Sequence, residues 1–368
     1  MYFLFALLIF IACKQYTSKV NGNYGFIKFV SIFFILTSSL RHMYCSVDTW
    51  GYIRNLKASQ GKSWSEILDY FWINYFQPGL YGKDPGYYIF EKAFGTITTE
   101  PQIFFLITAL FVFIPIYYIW KKYSASTFQT LVSSLFYLTF FYAYVPNSAV
   151  RQSIAVGFVL MAYLAYENKT KKGYLLAALL LFVASTFHQS ALIAILVPAG
   201  CYIFRKPNLL LYGSVAAFIC MLFFYQEVGE FLGAYNEVYN SYNDVGYYAS
   251  GGQRPYLSII LYALFFLIVL LNFKYEDKYK KYKILYVGGA ISFVLMPIIW
   301  FDPSAVRLVA YFGIWFSLLV PRAINIAPVP KRKVYVCIVL AALFLRLLIS
   351  QSSYSFFWQD IPMPSVYL

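Results

Sequence analysis

The sequence predicts an all-α protein that crosses a membrane about twelve times. Of its 368 residues, 61% are hydrophobic and only 12% are charged, a balance that the core of a soluble domain cannot accommodate. Several apolar runs are long enough to cross about 30 Å of hydrocarbon, and basic residues cluster in alternate connections between them. We therefore expect a single integral membrane domain over residues 1–368.

The apolar runs place the candidate spans. The clearer runs cover approximately residues 26–41, 101–120, 127–145, 148–166, 173–188, 190–204, 208–225, 256–272, 284–300, 305–320 and 334–350. A shorter run from Met1 to Cys13 is open to two interpretations, a short first span or a signal sequence. No Lys or Arg precedes it, whereas a signal sequence begins with a basic segment, so a short first span is favoured.

The distribution of charge predicts the orientation. Most of the 29 Lys and Arg residues fall on alternate connections, whereas most of the 15 acidic residues fall on the opposite side. Because basic connections stay in the cytoplasm, both termini and two long loops, approximately residues 42–100 and 226–255, are predicted to lie outside. The net charge of +14 is then a topology signal and requires no nucleic-acid partner.

Each long outer loop carries its own pattern. In the first, residues 63–66 (SWSE) form a capping box before apolar residues at helical spacing, which predicts a helix in the membrane interface or packed against the bundle. Asp84 and Pro85 then predict the start of a second short helix. The second loop ends in residues 251–255 (GGQRP) and is either a functional lid or a disordered connector.

Two predicted helix starts on the outer side read almost alike, residues 146–151 (PNSAVR) and 302–307 (DPSAVR). Each places an arginine, Arg151 or Arg307, in the first turn of a helix. The positive end of the helix dipole disfavours a cation there, so a bound anion is indicated, and a phosphate is the simplest choice.

Other polar residues also gather at the outer ends of the spans or in the outer loops. They include Arg41, His42, Asp48, Asp84, Gln152, His188, Gln189, Arg254 and Asp302. Each has a structural alternative: the aspartates could cap helices, Arg41 could extend to the surface from the end of a span, and His188 could be an interfacial histidine. Outer tyrosines could form an aromatic belt or stack on sugar rings. The five cysteines show no metal-site or disulfide spacing.

Several of these residues occur in an order that resembles a known family. Arg41 precedes residues 48–52 (DTWGY), and residues 84–88 (DPGYY), 149–152 (AVRQ) and 187–192 (FHQSAL) follow. This order resembles the EpsG family of bacterial exopolysaccharide proteins, which is similar to Wzy-type O-antigen and capsule polymerases. The family more often has Glu where this chain has Asp84.

The resemblance implies a GT-C-like glycosyltransferase in the bacterial inner membrane with its active site facing the periplasm. Its substrates would be glycans linked to undecaprenyl diphosphate, which would also be the leaving group, and a chain-length regulator is a possible partner. No metal, other cofactor or nucleic acid is expected. The alternatives are a lipid-linked oligosaccharide flippase or other transporter, an O-antigen ligase and a membrane O-acyltransferase.

The implied reaction assigns a role to each candidate residue. Arg151 and Arg307 would neutralise the departing diphosphate, with Arg254 and Arg41 as further ligands. A base or orienting group for the acceptor hydroxyl would be His188, Asp48 or Asp84. Glycan contacts are predicted for Gln152, Tyr52, Tyr87 and Tyr88.

Overall fold

A computed structural model describes residues 1–76, 84–234, 255–302, 305–350 and 354–362. In this part of the chain the secondary structure is helical, apart from one isolated β-bridge between Arg41 and Phe356. The α-helices are α1 (Tyr2–Thr17), α2 (Gly22–Ser39), α3 (Val47–Ser59), α4 (Trp64–Phe76), α5 (Pro85–Ile97), α6 (Pro101–Tyr123), α7 (Thr127–Tyr137), α8 (Val150–Tyr166), α9 (Lys171–Phe187), α10 (Leu196–Ile203), α11 (Pro207–Ala234), α12 (Tyr256–Asn272), α13 (Tyr279–Leu295), α14 (Val306–Ile326) and α15 (Val329–Ile349).

Among the described residues, five helical segments are long and apolar enough to cross a membrane. They are Pro101–Tyr123, Pro207–Phe231, Tyr256–Tyr275, Tyr279–Trp300 and Val306–Ile326. Three further apolar helices are shorter: Tyr2–Thr17, Val150–Tyr166 and Gln189–Ile203. The described structure is thus all-helical, with several helices able to cross a membrane by length and composition, whereas the number of twelve spans stays a prediction.

The predicted span over residues 127–145 is not a continuous α-helix. The apolar run over residues 127–145 gives α7, which ends at Tyr137, followed by a π-helical turn over Leu138–Tyr142. Such wide turns insert an extra residue into the helical ladder and change the direction of the chain. Hydropathy alone could not show this break, because the run stays apolar throughout.

The outer-loop helices begin where the sequence predicts. At the start of α4, the Ser63 amide donates to Glu66 Oε2 at 2.6 Å and the Glu66 amide donates to Ser63 Oγ at 3.2 Å, which confirms the capping box. Ile67 and Asn74 face the protein, while Trp64, Leu68, Trp72 and Phe76 form an exposed stripe at four-residue spacing. Asn74 is thus buried together with Ile67, and the apolar stripe faces away from the protein.

The chain forms two compact units. Unit 1 comprises Met1–Lys122, Leu138–Leu192 and Ser350–Leu368, and unit 2 comprises Tyr123–Tyr137 and Ile193–Ile349. The single domain predicted from the sequence stays a prediction.

In unit 1, aromatic rings join the first helices to one another and to the C-terminal segment, where the Phe5 ring lies 5.0 Å from that of Tyr354. The Phe34 ring lies 5.4 Å from that of Phe113 and 5.0 Å from that of Tyr142. The returning segment pairs with the end of α2, because the His42 amide donates to the Ser355 carbonyl at 2.7 Å. These contacts fix the position of the segment that leads from the end of α2 to the start of α3.

Unit 2 packs around α13 and α14. A Cβ on Gly288 would collide with the Trp315 ring, so glycine is what lets these two helices approach closely. The Phe266 and Phe293 rings stack 3.9 Å apart. Arg322 makes a two-pronged ion pair with Glu276, both N···O distances being 2.7 Å, and the two side chains are 9% and 0% exposed.

We predict that Glu276→Gln destabilises the protein strongly. The variant leaves the buried Arg322 guanidinium without its counter-charge, a loss of about 3 kcal/mol for a buried pair. Glu167→Gln is the matched control, since it removes the more exposed Lys122–Glu167 pair and should cost less than about 1 kcal/mol. Melting temperatures of the purified proteins in one detergent measure both effects, and equal losses would contradict the assignment.

Candidate functional site

The first turn of α8 carries Arg151, as the sequence predicted. The helix begins at Val150, and the segment before it is held by three hydrogen bonds to the buried Asn147. Ser38 Oγ donates to Asn147 Oδ1 at 3.1 Å, Asn147 Nδ2 donates to the Tyr2 hydroxyl at 3.3 Å, and Thr49 Oγ1 donates to the Asn147 carbonyl at 3.1 Å. The start of α8, and with it Arg151, is therefore fixed by α1, α2 and α3.

Asp84 is the counter-charge of Arg151. Arg151 Nη1 lies 3.0 Å from Asp84 Oδ2, with the two side chains 24% and 4% exposed. The anion that a first-turn arginine requires is thus supplied in part from within the chain. Since a guanidinium has five N–H donors, the exposed edge of Arg151 still has donors for a ligand.

Asp84 occupies the N-cap of α5, as predicted, but its carboxylate is used for other contacts. The helix α5 does begin at Pro85, but the Asp84 side chain makes no capping hydrogen bond. Its backbone is left-handed (φ 60°, ψ 57°), a conformation that costs a non-glycine residue of order 1 kcal/mol. In this conformation the carboxylate reaches Arg151 and also accepts from the Gln189 amide at 3.4 Å.

Two tyrosines flank the ion pair. The Arg151 Cζ atom lies 5.8 Å from the centre of the Tyr52 ring and 6.0 Å from that of Tyr87, within the range of cation–π attraction. The two rings meet edge to face at 5.6 Å. Tyr87 is only 2% exposed, so its ring face is not open to a sugar, whereas Tyr52 and Tyr88 are half-buried.

Sequence reasoning missed Glu91. It lies two turns after Asp84 on the same side of α5 as Tyr87, and its Oε1 atom is buried without a hydrogen bond. Burial raises the pKa of its carboxyl group to about 7, against the opposite effects of the Tyr87 hydroxyl and the charges of Lys62 and Arg151. The spacing from Asp84 was visible in the sequence, but nothing there showed which face of α5 is buried. We call Tyr52, Asp84, Tyr87, Glu91 and Arg151 the Arg151 cluster.

The turn that carries His188 lies beside this cluster. His188 ends α9, its Nδ1 atom lies 2.6 Å from Ser190 Oγ, and the adjacent Gln189 amide reaches Asp84. A Cβ on Gly86 would collide with Thr186, so the start of α5 packs directly on the end of α9. The start of α5 and the turn after α9, which are about 100 residues apart in the sequence, are therefore adjacent in unit 1.

Asp48 lies at the start of α3, on the other side of the segment before α8. Ser46 occupies the N-cap of α3, so Asp48 is a first-turn residue and not the cap that the sequence suggested. Its Oδ2 atom accepts from Ser148 Oγ at 3.4 Å, and Ser148 Oγ lies 2.6 Å from Ser46 Oγ. Asp48 is thus linked to the chain three residues before Arg151.

Arg41 lies outside the Arg151 cluster and is fully buried. Its guanidinium stacks on Phe105 at 3.8 Å and donates to Ser38, while Nε and Nη2 have no hydrogen-bond partner in the described residues. It does not extend to the surface, because its side chain is fully enclosed, and its backbone forms the β-bridge to Phe356. Its predicted contact with diphosphate would require these surroundings to open.

The remaining candidates divide between the units. Gln152 is buried next to Arg151, and the Tyr88 ring meets that of Tyr70 at 4.5 Å. Arg307 is in unit 2, in the first turn of α14 as predicted, but the N-cap is Ala305, so Asp302 is not the cap. Arg254 lies outside the described residues. Convergence of Arg307 with Arg151 stays a prediction.

Together, the apolar helices are typical of a multi-pass membrane protein, and unit 1 contains a sheltered cluster that combines a guanidinium, carboxyl groups and tyrosines. Residues 24–360 match the model of the EpsG family, and the chain belongs to that family. This family is of the Wzy-type polymerase-like kind, which gives the chain a polysaccharide-polymerase-type role. No curated protein and no solved structure matches the chain significantly.

We predict that Glu91 makes stability depend on pH. Its pKa is about 7 in the folded protein and 4.5 ordinarily, so folding favours the protonated form. Stability should therefore fall as the pH rises from about 4.5 to about 7, by up to about 3 kcal/mol from this group. Glu91→Gln should remove this fall, as measured by melting temperature across that pH range.

The exposed Glu66 provides the control for Glu91. Its hydrogen bonds to Ser63 hold the pKa of its carboxyl below 4.5, so Glu66→Gln should leave the pH dependence between 5 and 7 unchanged. If Glu91→Gln and the wild-type protein lose stability in parallel across this range, the Glu91 carboxyl is ionised throughout and the assignment is wrong.

Proposed function

We propose that this protein joins lipid-linked glycan repeat units into a polysaccharide at the periplasmic face of the bacterial inner membrane. The donor is a growing glycan on undecaprenyl diphosphate, and a hydroxyl of the next lipid-linked unit is the acceptor. Membership of the EpsG family supports the polymerase role. The observation that carries the site assignment is the partly exposed Arg151 guanidinium, held by Asp84 at the start of a helix.

The chemistry follows from the leaving group. Breaking the bond between the sugar and the diphosphate develops negative charge on the diphosphate oxygen. The remaining Arg151 N–H groups stabilise this charge through short, charge-assisted hydrogen bonds, and a sheltered environment strengthens them. Arg307 and Arg254 supply further positive charge in this proposal, which needs no metal ion.

The neighbours of Arg151 prepare it for this task. Asp84 fixes the direction of the guanidinium, while the Tyr52 and Tyr87 rings restrict its position from the side. Burial keeps Glu91 protonated below about pH 7, so that it does not add a second negative charge beside the diphosphate. Tyr52 and Tyr88, which are half-buried, contact the sugar of the donor or acceptor. Gln152 is as buried as Tyr87, so it supports the Arg151 turn from within and does not contact the sugar in this proposal.

His188 is our choice for the group that takes the acceptor proton. Its Nδ1 atom lies 2.6 Å from Ser190 Oγ. When Nδ1–H donates to Ser190, Nε2 is the basic nitrogen and accepts the proton from the acceptor hydroxyl. Asp84 is less suited because it neutralises Arg151, and Asp48 already accepts a hydrogen bond from Ser148.

We expect Arg151→Ala to abolish long polysaccharide chains while the protein remains in the membrane. Loss of a preorganised donor to a developing oxyanion lowers a catalytic rate by at least about 100-fold. Arg54→Ala is the matched control, because Arg54 is an exposed arginine on α3, predicted to face the same side. Both variants are expressed in a deletion strain, and the surface polysaccharide is compared on gels.

The gel pattern separates the outcomes. Single repeat units with Arg151→Ala and long ladders with Arg54→Ala support the proposal. Long ladders with Arg151→Ala would show that this arginine is structural. In the deletion strain itself, loss of all surface glycan would instead indicate a flippase or ligase, and unchanged length with lost acetyl groups would indicate an acyltransferase.

His188→Gln tests the proton transfer. Glutamine keeps a hydrogen-bonding group of similar reach but cannot titrate, so we expect a fall in polymerisation rate of about 100-fold or more. Initial rates are measured with purified enzyme and lipid-linked repeat units as a function of pH. A variant with the wild-type rate and pH profile would exclude His188 as the base.

A further inference from the structure

A second feature of unit 1 is an open groove between α6, α8 and α9, which begins about three turns along α8 from Arg151. Its volume is about 780 Å³. The walls are apolar and include Met161, Leu164, Leu176 and Leu180, while Lys121 and Lys122 lie at one end. Of these residues, Leu176 is 47% exposed, so the groove opens outward and not into a closed cavity.

The packing of the helices explains why the groove exists. A Cβ on Gly157 would collide with the Phe111 carbonyl, so α8 and α6 are in closest contact there. About ten residues further along each helix, roughly 15 Å, Lys122 Nζ and Glu167 Oε2 form an ion pair at 2.9 Å. Small side chains at Ala162, Ala165 and Ala177 pack α8 against α9, and Ala165 also lines the groove. The groove lies between these two fixed points.

The end with the lysines carries an excess of positive charge. The charge of Lys122 is neutralised by its ion pair with Glu167. Lys28 and Lys121 instead lie over the Tyr24 ring, with their Nζ atoms 4.6 and 5.0 Å from its centre. Neither of these two lysines pairs with a carboxylate in the described part of the chain. An elongated apolar surface that ends at lysines and tyrosines complements a molecule with a hydrocarbon chain and an anionic head.

We propose that this groove binds an anionic phospholipid. One acyl chain lies against Met161, Leu164, Leu176 and Leu180, and the phosphate lies at Lys121 with Lys28 nearby. Both lysines lie on helices, near the ends that are predicted to face the cytoplasm, where anionic headgroups attract basic side chains. The groove opens to the exterior of the helices, so a lipid can enter it from the bilayer without unfolding the protein.

Native mass spectrometry of the purified protein tests the headgroup. The protein is exposed to equal amounts of phosphatidylglycerol and phosphatidylcholine with matched acyl chains, and bound lipids are counted. We expect preferential retention of phosphatidylglycerol, reduced about fivefold by Lys121→Gln. Lys172→Gln, which removes an exposed lysine outside the groove, should retain the wild-type preference. Equal retention of both lipids by the wild-type protein would overturn the proposal.

Filling the groove tests the acyl chain. Met161→Trp should reduce the retention of both lipids several-fold, whereas Leu179→Trp, at a 57% exposed position on α9 outside the groove, should not. Leu176→Trp replaces Met161→Trp if the melting temperature shows that the latter misfolds. Equal retention by the groove and control variants would overturn the proposal. So would displacement of the lipid by equimolar glycerol phosphate, because the phosphate alone would then determine binding.

Discussion

The ion pair between Arg151 and Asp84 is the interaction on which the candidate site depends. It joins the start of α8 to the start of α5 at 3.0 Å. Three locally unfavourable choices meet there: a cation at a helix N-terminus, a left-handed aspartate and a charge pair largely removed from water. Natural sequences tolerate such choices where the surrounding structure enforces them, and they concentrate at functional sites.

The surrounding structure enforces this arrangement through contacts that have no catalytic role. Asn147 links the segment before α8 to α1, α2 and α3, and Gly86 lets α5 pack on the end of α9. Glu91 then lies in an environment where its neutral form is favoured up to about pH 7. The charge of the cluster therefore depends on burial as well as on the number of acidic and basic residues.

Helix starts were predictable from the sequence because their signals are local. The capping box at Ser63, Pro85 at the start of α5 and the first-turn positions of Arg151 and Arg307 required only nearby residues. The pairing of Arg151 with Asp84, the burial of Glu91 and the covering of Arg41 depend on contacts between distant segments, which spacing does not encode. Hydropathy likewise located the apolar helices but not the break after Tyr137.

The central claim is that Arg151 binds the diphosphate of the lipid-linked donor, and phosphorus NMR tests it most directly. Undecaprenyl diphosphate is titrated with the purified wild-type protein, Arg151→Ala and Arg54→Ala, and the phosphorus resonances are followed. Saturable shifts with the wild-type protein and Arg54→Ala, and their loss with Arg151→Ala, are the predicted result. The same saturable shifts with Arg151→Ala would contradict the account.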